Sequence, residues 1–396
     1  MNTWRILGFG FLLTFVSSFG QTFFIGRFKE LLLEAIPNLT HGSYGQWYSV
    51  ATLSSAVCLA YLGRRIDDLD LRFYTVAVCV GLAVACAAIS QATSLLVLVP
   101  AIFGLRLFGQ GLLGHIANTA TARYLDKTRG RALSIVNLGH PAGEALLPVI
   151  VVPFLVTDMW RGFWIACAGI VLVVVIPAVF AFLRGHREHH AAWQGSVEKA
   201  AEIDPEARQW TAREVLFDFA FWRCVPAFLS VPFFATGLLF HQDVLSSSYE
   251  WGAYAFASSF FAYASAQVLS APLIGLWVDH SGAGRLLPIL TLPLATVLTL
   301  LAFLEGTWLA YVWMAGMGLS SGIGFSVVSS VLVDRYGATH LGAIRSQLSV
   351  MMVISTALSP PLFGALIDRE VTMPTIVGGS AIACVVAAVL AAIPKR

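Results

Sequence analysis

The sequence predicts an all-α integral membrane protein: twelve transmembrane helices in two six-helix, pseudo-symmetric halves. Three observations predict it. Of 396 residues, 58% are hydrophobic and only 12% charged. A soluble domain carries about 25% charged residues, so half that density leaves too little polar surface to face water. Twelve segments are long and apolar enough to cross a bilayer as helices, which takes about 20 residues each. A run of identities also recurs at one offset. Gly63 and Gly275 are 212 apart (275 − 63), and the same offset joins Asp67 to Asp279, Gly104 to Gly316, Arg123-Tyr124 to Arg335-Tyr336, Gly130 to Gly342 and Pro148 to Pro360. One such coincidence means nothing; an ungapped run of them means a duplicated half.

In chain order the spans cover 5–26, 45–62, 73–93, 95–121, 132–156, 160–183, 222–242, 251–277, 285–304, 308–333, 343–367 and 373–393. Their length argues for helices, because a barrel strand needs only about ten alternating residues. Internal Pro and Gly are tolerated where neighbouring helices satisfy the freed backbone groups. The start, MNTWR before an apolar run of spanning length, lacks a small-x-small cleavage site and is kept as span 1. A net charge of +2 points neither to nucleic acid nor to a polybasic tail. The six cysteines sit in or beside apolar runs without a CxxC pair, as buried thiols do.

Basic residues set the orientation. With Met1 in the cytoplasm, four of the 24 fall outside (Arg27, Lys29, Arg161 and Arg369), Arg106 lies within a span, and the other nineteen fall inside. Both termini are therefore expected to be cytoplasmic, in a multi-pass cell-membrane protein of the bacterial inner-membrane kind. The one long hydrophilic connection divides the chain into an N-terminal half 1–184, a cytoplasmic linker 185–221 and a C-terminal half 222–396. Between Pro205 and Trp222 the linker mixes charges with Trp210, Val215, Leu216, Phe219 and Phe221, the pattern of an amphipathic helix on the inner leaflet.

The turn after span 2, LGRRIDDLDLR from Leu62 to Arg72, has a weaker copy after span 8, IGLWVDHSGAGR from Ile274 to Arg285. Two six-span halves with this G-x-x-x-D turn in each resemble the major facilitator superfamily. Gly63, Ile66 and Asp67 match that family's signature, whereas Asp70 and Leu71 stand where a glycine and a base are usual; Gly275, Asp279, Gly282 and Arg285 fit it in the copy. The resemblance implies the major facilitator fold and a conformational latch at Gly63, Arg64, Asp67, Gly275, Asp279 and Arg285. Arg106 with Gly111 looks like a loosened R-x-x-x-G signature. Within the superfamily, Arg123-Tyr124, Gly139-His140-Pro141-Ala142-Gly143 and Pro360-Pro361-Leu362 resemble the monocarboxylate transporter branch. That branch carries an Asp and an Arg in span 8 where this chain has Gln267 and Ala271, so its proton-carboxylate route does not transfer.

Charge in the hydrocarbon costs about 2.5–3.5 kcal/mol at a helix centre and defaults to a functional role. Arg106 and Glu144 are the two charges well inside spans, and Asn137, His140 and Glu144, at i, i+3 and i+7, share a face of span 5. That face is expected to line the cavity, with Glu144 and His140 as proton or substrate groups; a static Glu144–Arg106 pair is the open alternative. Gln110 shares a face with Arg106, and His115, nine residues from Arg106, points the other way into a helix contact. Thr14, Ser17, Ser18 and Gln21 stripe span 1, and Tyr263, Gln267 and Ser270 stripe span 8. Both stripes read as cavity linings, with Gln21 and Gln267 the stronger candidates and the hydroxyls serving packing as well. His241 and Gln242 form either an outer gate or an interface pair.

Gly109 to Gly114 fits G-x-G-x-x-G, but no strand precedes it. Gly318 to Gly322 fits G-x-S-x-G without the strand-to-helix turn that motif needs. Helix packing by small residues accounts for both, and Gly139 to Gly143 is a close-approach G-x-x-x-G. There is no phosphate-binding loop for ATP, no cofactor or metal site is expected, and His186, His189 and His190 belong to a solvated loop. Asn38-Leu39-Thr40 is a sequon with meaning only in a secretory host. The expectation is a monomeric secondary transporter of a small, anionic organic solute such as a monocarboxylate, working by alternating access with the site near the midplane and coupled to H+. A drug or metabolite efflux pump of the same fold and a transporter-like membrane sensor are the alternatives. A membrane enzyme would need a nucleophile, base or metal cluster that does not assemble here.

Overall fold

The computed structural model describes residues 3–66, 69–125, 129–184, 210–336 and 341–393, and the described elements are all helical. Eleven of the helices are long and apolar enough to cross a membrane, among them Leu71–Ser90, Leu95–Tyr124, Arg131–Val156, Trp160–Phe182 and Trp308–Tyr336. The remaining one, His41–Leu62, is 22 residues long but carries Ser43, Gln46, Ser49, Thr52, Ser54 and Ser55. It completes a twelve-span bundle. Span 2 starts at His41 rather than 45, because its polar first turn is helical too.

Two compact units form: Met1–Leu39 with Trp47–Pro205, and Thr40–Gln46 with Glu206–Arg396. The first turn of span 2 thus groups with the second unit. The linker stretch 185–209 lies outside the described residues; after it, Thr211 caps a short helix, Ala212–Phe217, through a capping box with Glu214.

In the first unit, span 5 lies against span 1 through Gly139 and Gly143. A Cβ on Gly139 would meet the Thr14 hydroxyl and sit 2.5 Å from the Phe11 carbonyl oxygen; one on Gly143 would meet the Ser18 hydroxyl. Thr14 Oγ1 closes the seam by donating to the Val136 carbonyl at 2.7 Å. Lipid offers no hydrophobic drive between helices, so such close approach is what holds them. Arg27 and Lys29, assigned to the outer side by the span boundaries, are buried (6% and 0% exposed) where span 1 continues into a further helix, Lys29–Ala35. There Lys29 Nζ pairs with Glu30 Oε1 at 3.0 Å.

The repeat has a packing counterpart. A Cβ on Gly104 of span 4 would lie 2.8 Å from the Ala85 Cβ of span 3, and one on Gly316 of span 10 would meet Val297 of span 9. Ala85 and Val297 are themselves 212 apart (297 − 85). Each unit therefore crosses the same helix pair at the same place. The two enzyme-like motifs are seams of this kind. Gly109 faces Gly20, Gly318 faces the Tyr263 carbonyl, Gly322 faces Ser270, and Ser320 Oγ accepts the Leu294 N–H at 3.0 Å.

In the second unit, Asp368 Oδ2 accepts the Thr40 hydroxyl at 2.9 Å and the Gly42 N–H at 2.8 Å, which caps the start of span 2. Tyr44 stacks on Phe240 with centroids 5.1 Å apart. His241 meets the Pro360 carbonyl at 2.9 Å, a helix-interface contact.

At the turn after span 2, Asp67 lies outside the described residues, and of Arg64 there and of Gly275 and Asp279 in the copy only the backbone is described. The rest of the turn is held by its carbonyls. Tyr74 donates to Leu62 at 2.7 Å, His115 meets Gly63 at 3.0 Å and Arg123 donates to Ile66 at 3.2 Å. Asp70, which departs from the family signature, N-caps span 3 by accepting the Arg72 N–H at 2.9 Å. In the copy, Gly282 ends span 8 at φ 79°, a conformation that favours glycine, and Arg285 is exposed.

The span 1–span 5 seam predicts that Gly143→Val costs about 1–3 kcal/mol by overpacking, read as a lower midpoint of thermal unfolding in detergent. Gly162→Ala, where a Cβ has open space, leaves that midpoint unchanged or raised.

Candidate functional site

Span 1 does not run straight through. Thr3–Val16 is followed by a tight turn, Ser17–Gly20, then by Gln21 in an extended conformation (φ −83°, ψ 148°), and helix resumes at Thr22–Ile25. Phe24 N–H, the usual helical donor to the Gly20 carbonyl, bonds to the Gln21 carbonyl instead at 3.1 Å, as does Ile25 N–H at 3.0 Å. No water is at hand in a bilayer core, so irregular backbone at that depth must be met by protein.

Arg106 meets it. Its Nη1 donates to the Gly20 carbonyl at 3.3 Å and to Thr22 Oγ1 at 3.1 Å. The Thr22 hydroxyl shares a hydrogen bond with the Tyr48 hydroxyl at 2.9 Å, and the guanidinium carbon stands 5.4 Å from the Tyr48 ring centroid. That is cation–π range. Arg106 and Tyr48 are 6% and 1% exposed. Arg106 also lies in the first turn of a π-helical stretch, Leu105–Leu113, within span 4. Such widened turns recur at functional sites. Here the stretch lies where Gly20 presses on span 4: a Cβ on Gly20 would meet the Leu105 carbonyl and sit 2.5 Å from the Gln110 nitrogen. Gln21 and Gln110 are both half-buried beside this crossing.

The polar face of span 5 looks onto spans 4 and 1. Asn137 Nδ2 donates to Asn118 Oδ1 of span 4 at 2.9 Å and to the Leu133 carbonyl at 2.9 Å. His140 Nδ1 meets Ser17 Oγ of span 1 at 3.2 Å. Glu144, one turn further, is half-buried, with Oε2 shielded from solvent and without a hydrogen-bond partner. Among the described residues no ion pair joins Glu144 to Arg106, so the static-pair alternative is not what the structure contains. Arg106 Nε likewise has no partner. An unneutralised buried cation calls for an anion, and a shielded carboxylate oxygen calls for a donor.

In the first unit, Arg106 and Gln110 stand at the break in span 1 beside Gln21, His140 reaches Ser17 one turn earlier, Glu144 follows Gly143 where that glycine packs on Ser18, and Asn137 lies farther along at Asn118. Tyr263 and Gln267 belong to the second unit and are described there alone. Both are buried on span 8 against span 10, with Gln267 Nε2 donating to the Tyr263 hydroxyl and that hydroxyl donating to Ser321 Oγ, each at 3.3 Å. Sequence reasoning did not single out Thr22, Tyr48 or Asn118. Thr22 directly follows Gln21 at the end of the polar stripe, and Tyr48 sits among the polar residues of span 2; both signals were available.

The family model described as Major Facilitator Superfamily matches residues 10–266 and 244–396. No curated protein matches the sequence. Among solved structures, the nucleoside transporter NupG is 14% identical, with 100% of each chain covered and a TM-score of 0.71. An aspartate-to-alanine variant of NupG is 15% identical, with 98% of each chain covered and a TM-score of 0.68. At that identity the likeness shows the fold alone.

The cluster predicts that Thr22→Val, which removes an acceptor from a buried guanidinium, costs about 1.5–3 kcal/mol. Thermal unfolding in detergent reads it as a clear drop. Thr299→Val, which removes only a local bond to the Ala295 carbonyl, changes the midpoint far less.

Proposed function

The chain belongs to the major facilitator superfamily, and on that premise we propose that its solute is a small organic anion held at Arg106. A secondary transporter of a small solute, rather than an enzyme, follows from the family itself. One observation carries the anion: a cation buried at 6% exposure, pinned through Nη1, with Nε unpartnered and no carboxylate paired to it among the described residues. Arginine presents two parallel N–H donors along its Nε edge, the fork that a carboxylate matches. The break in span 1 supports the reading, since transporter sites are typically built where spanning helices are discontinuous. The patches resembling the monocarboxylate branch point the same way.

Coupling is proposed to run through protons at the Glu144–His140 turn of span 5, with Asn137 anchoring that turn to span 4. Gln21 and Gln110 are proposed to line the Arg106 end, and within the second unit Tyr263 and Gln267 are proposed as solute contacts. The orientation proposed from the basic-residue bias places both termini in the cytoplasm. The structural neighbours are nucleoside transporters, but a neutral nucleoside would leave the Arg106 charge uncompensated here.

Uptake of labelled organic acids into proteoliposomes, with and without an imposed pH gradient, tests this. Saturable accumulation that the gradient accelerates is expected. Arg106→Gln should lower it roughly 10–100-fold, the loss of a charge-assisted bond of about 1.5–3 kcal/mol. Glu144→Gln should abolish the response to the gradient. Efflux of amphipathic drugs with no accumulation of any acid overturns the substrate class.

A further inference from the structure

Three shielded polar atoms of the first unit, one on span 1 and two on the helices packed against it, lack hydrogen-bond partners: Ser18 Oγ, Arg106 Nε and Glu144 Oε2. Arg106 is fixed to span 1 at Gly20 and Thr22. Gly143, the neighbour of Glu144, packs on Ser18. Unmet buried polar atoms are costly, and each such atom in a native structure needs an explanation. These three are not interchangeable. The guanidinium edge requires an acceptor pair, the carboxylate requires a donor, and the hydroxyl serves either.

We infer that the solute is an amino-acid-like zwitterion, its carboxylate on Arg106 and its ammonium on Glu144 with Ser18 beside it. This rests on the organic-anion reading and adds a second, oppositely charged end to the same solute. The helical spacing fits. Asn118 and Asn137 touch at 2.9 Å and so mark one level on spans 4 and 5. Arg106 lies twelve residues from Asn118 and Glu144 seven from Asn137. At about 1.5 Å rise per residue, and less across the π-helical Leu105–Leu113, their backbones stand at most roughly 18 Å and about 10 Å from that level, so their depths differ by at most roughly 8 Å. Along span 1, Ser18 and Gly20 are roughly 4 Å apart at about 2 Å per residue of tight turn, and the extended Gln21 carries Thr22 farther at about 3 Å per residue. An α-amino acid has about 2.5 Å between its nitrogen and carboxyl carbon, from bonds of about 1.5 Å each. With a charge-assisted bond of about 2.8 Å at each end it bridges roughly 8 Å.

The remaining polar groups fit this division of labour. Tyr48 and Thr22 hold the guanidinium at one end, while His140 is engaged with Ser17 and Asn137 with Asn118 at the other. Neither His140 nor Asn137 reaches Glu144 by a hydrogen bond among the described residues. The carboxylate is therefore left for a donor from outside the protein. Proton and ammonium become alternative occupants of one carboxylate. The loaded carrier holds the ammonium, and the returning empty carrier holds the proton.

The test is competition against uptake of a labelled acid in proteoliposomes, comparing propionate with alanine, β-alanine and 4-aminobutyrate. At least one amino acid is expected to compete at a concentration ten or more times lower than propionate. Glu144→Gln, checked for a native-like unfolding midpoint, should weaken that amino acid about tenfold more than propionate. Equal competition by propionate and the amino acids in the wild type overturns the zwitterion while the anion reading stands. A Glu144→Gln effect of the same size on both kinds of solute does the same. If neither kind is transported or competes, the anion reading itself fails.

Discussion

Where span 1 opens at Gln21, the Gly20 carbonyl gives up its helical donor and the Arg106 guanidinium takes that place. Two costs are each reduced there. A lone carbonyl at membrane depth and a lone arginine in a span are each unfavourable, and each relieves the other. Thr22 and Tyr48 complete the arrangement, one as a second acceptor and the other as a ring beneath the charge. Removing any member leaves a buried polar group unmet, which ties the break in span 1, the widened turn of span 4 and the placement of span 2 to one another.

The crossing depends on small residues. Gly20 against Gly109, and Gly139 and Gly143 against span 1, bring backbones close enough for short side chains such as Ser17 and Thr14 to bond across the seams. A Cβ at any of them would push the helices apart and pull Arg106 or His140 off its partner. Packing and polar chemistry are thus one feature of the first unit: close approach puts the polar atoms within reach, and their bonds fix the register. Gly104 and Gly316 show the same economy at equivalent points of the repeat.

Most of the fold was legible because length and hydropathy specify spans almost without ambiguity, and the observed helix ends fall within a few residues of those read from the sequence. The 212-residue repeat was legible as well, since duplicated packing positions keep their glycines. Arg106 and Glu144 stood out because charge is rare in an apolar segment. Their partners did not stand out. No proline marks the break at Gln21, and a helix that opens for one residue leaves only Gly20 as a trace. The π-helical stretch around Arg106 follows from the crossing with span 1, a tertiary cause that local sequence cannot carry. Asp70 did carry a signal: an acidic residue just before an apolar run is an N-cap before it is a flaw in a family signature. Arg27 and Lys29 were assigned to the outer side by where the apolar run of span 1 ends, and their burial was not legible because the helix Lys29–Ala35 lies beyond that run.

The central claim is that the free edge of Arg106 receives the solute's carboxylate. An experimental structure of the protein with a transported acid bound tests it most directly. The account predicts the carboxylate oxygens within hydrogen-bond distance of Arg106 Nε and the adjacent Nη2, about 2.7–2.9 Å, with Nη1 still on Gly20 and Thr22. An acid bound elsewhere, with the Nε edge of Arg106 unchanged, would contradict it.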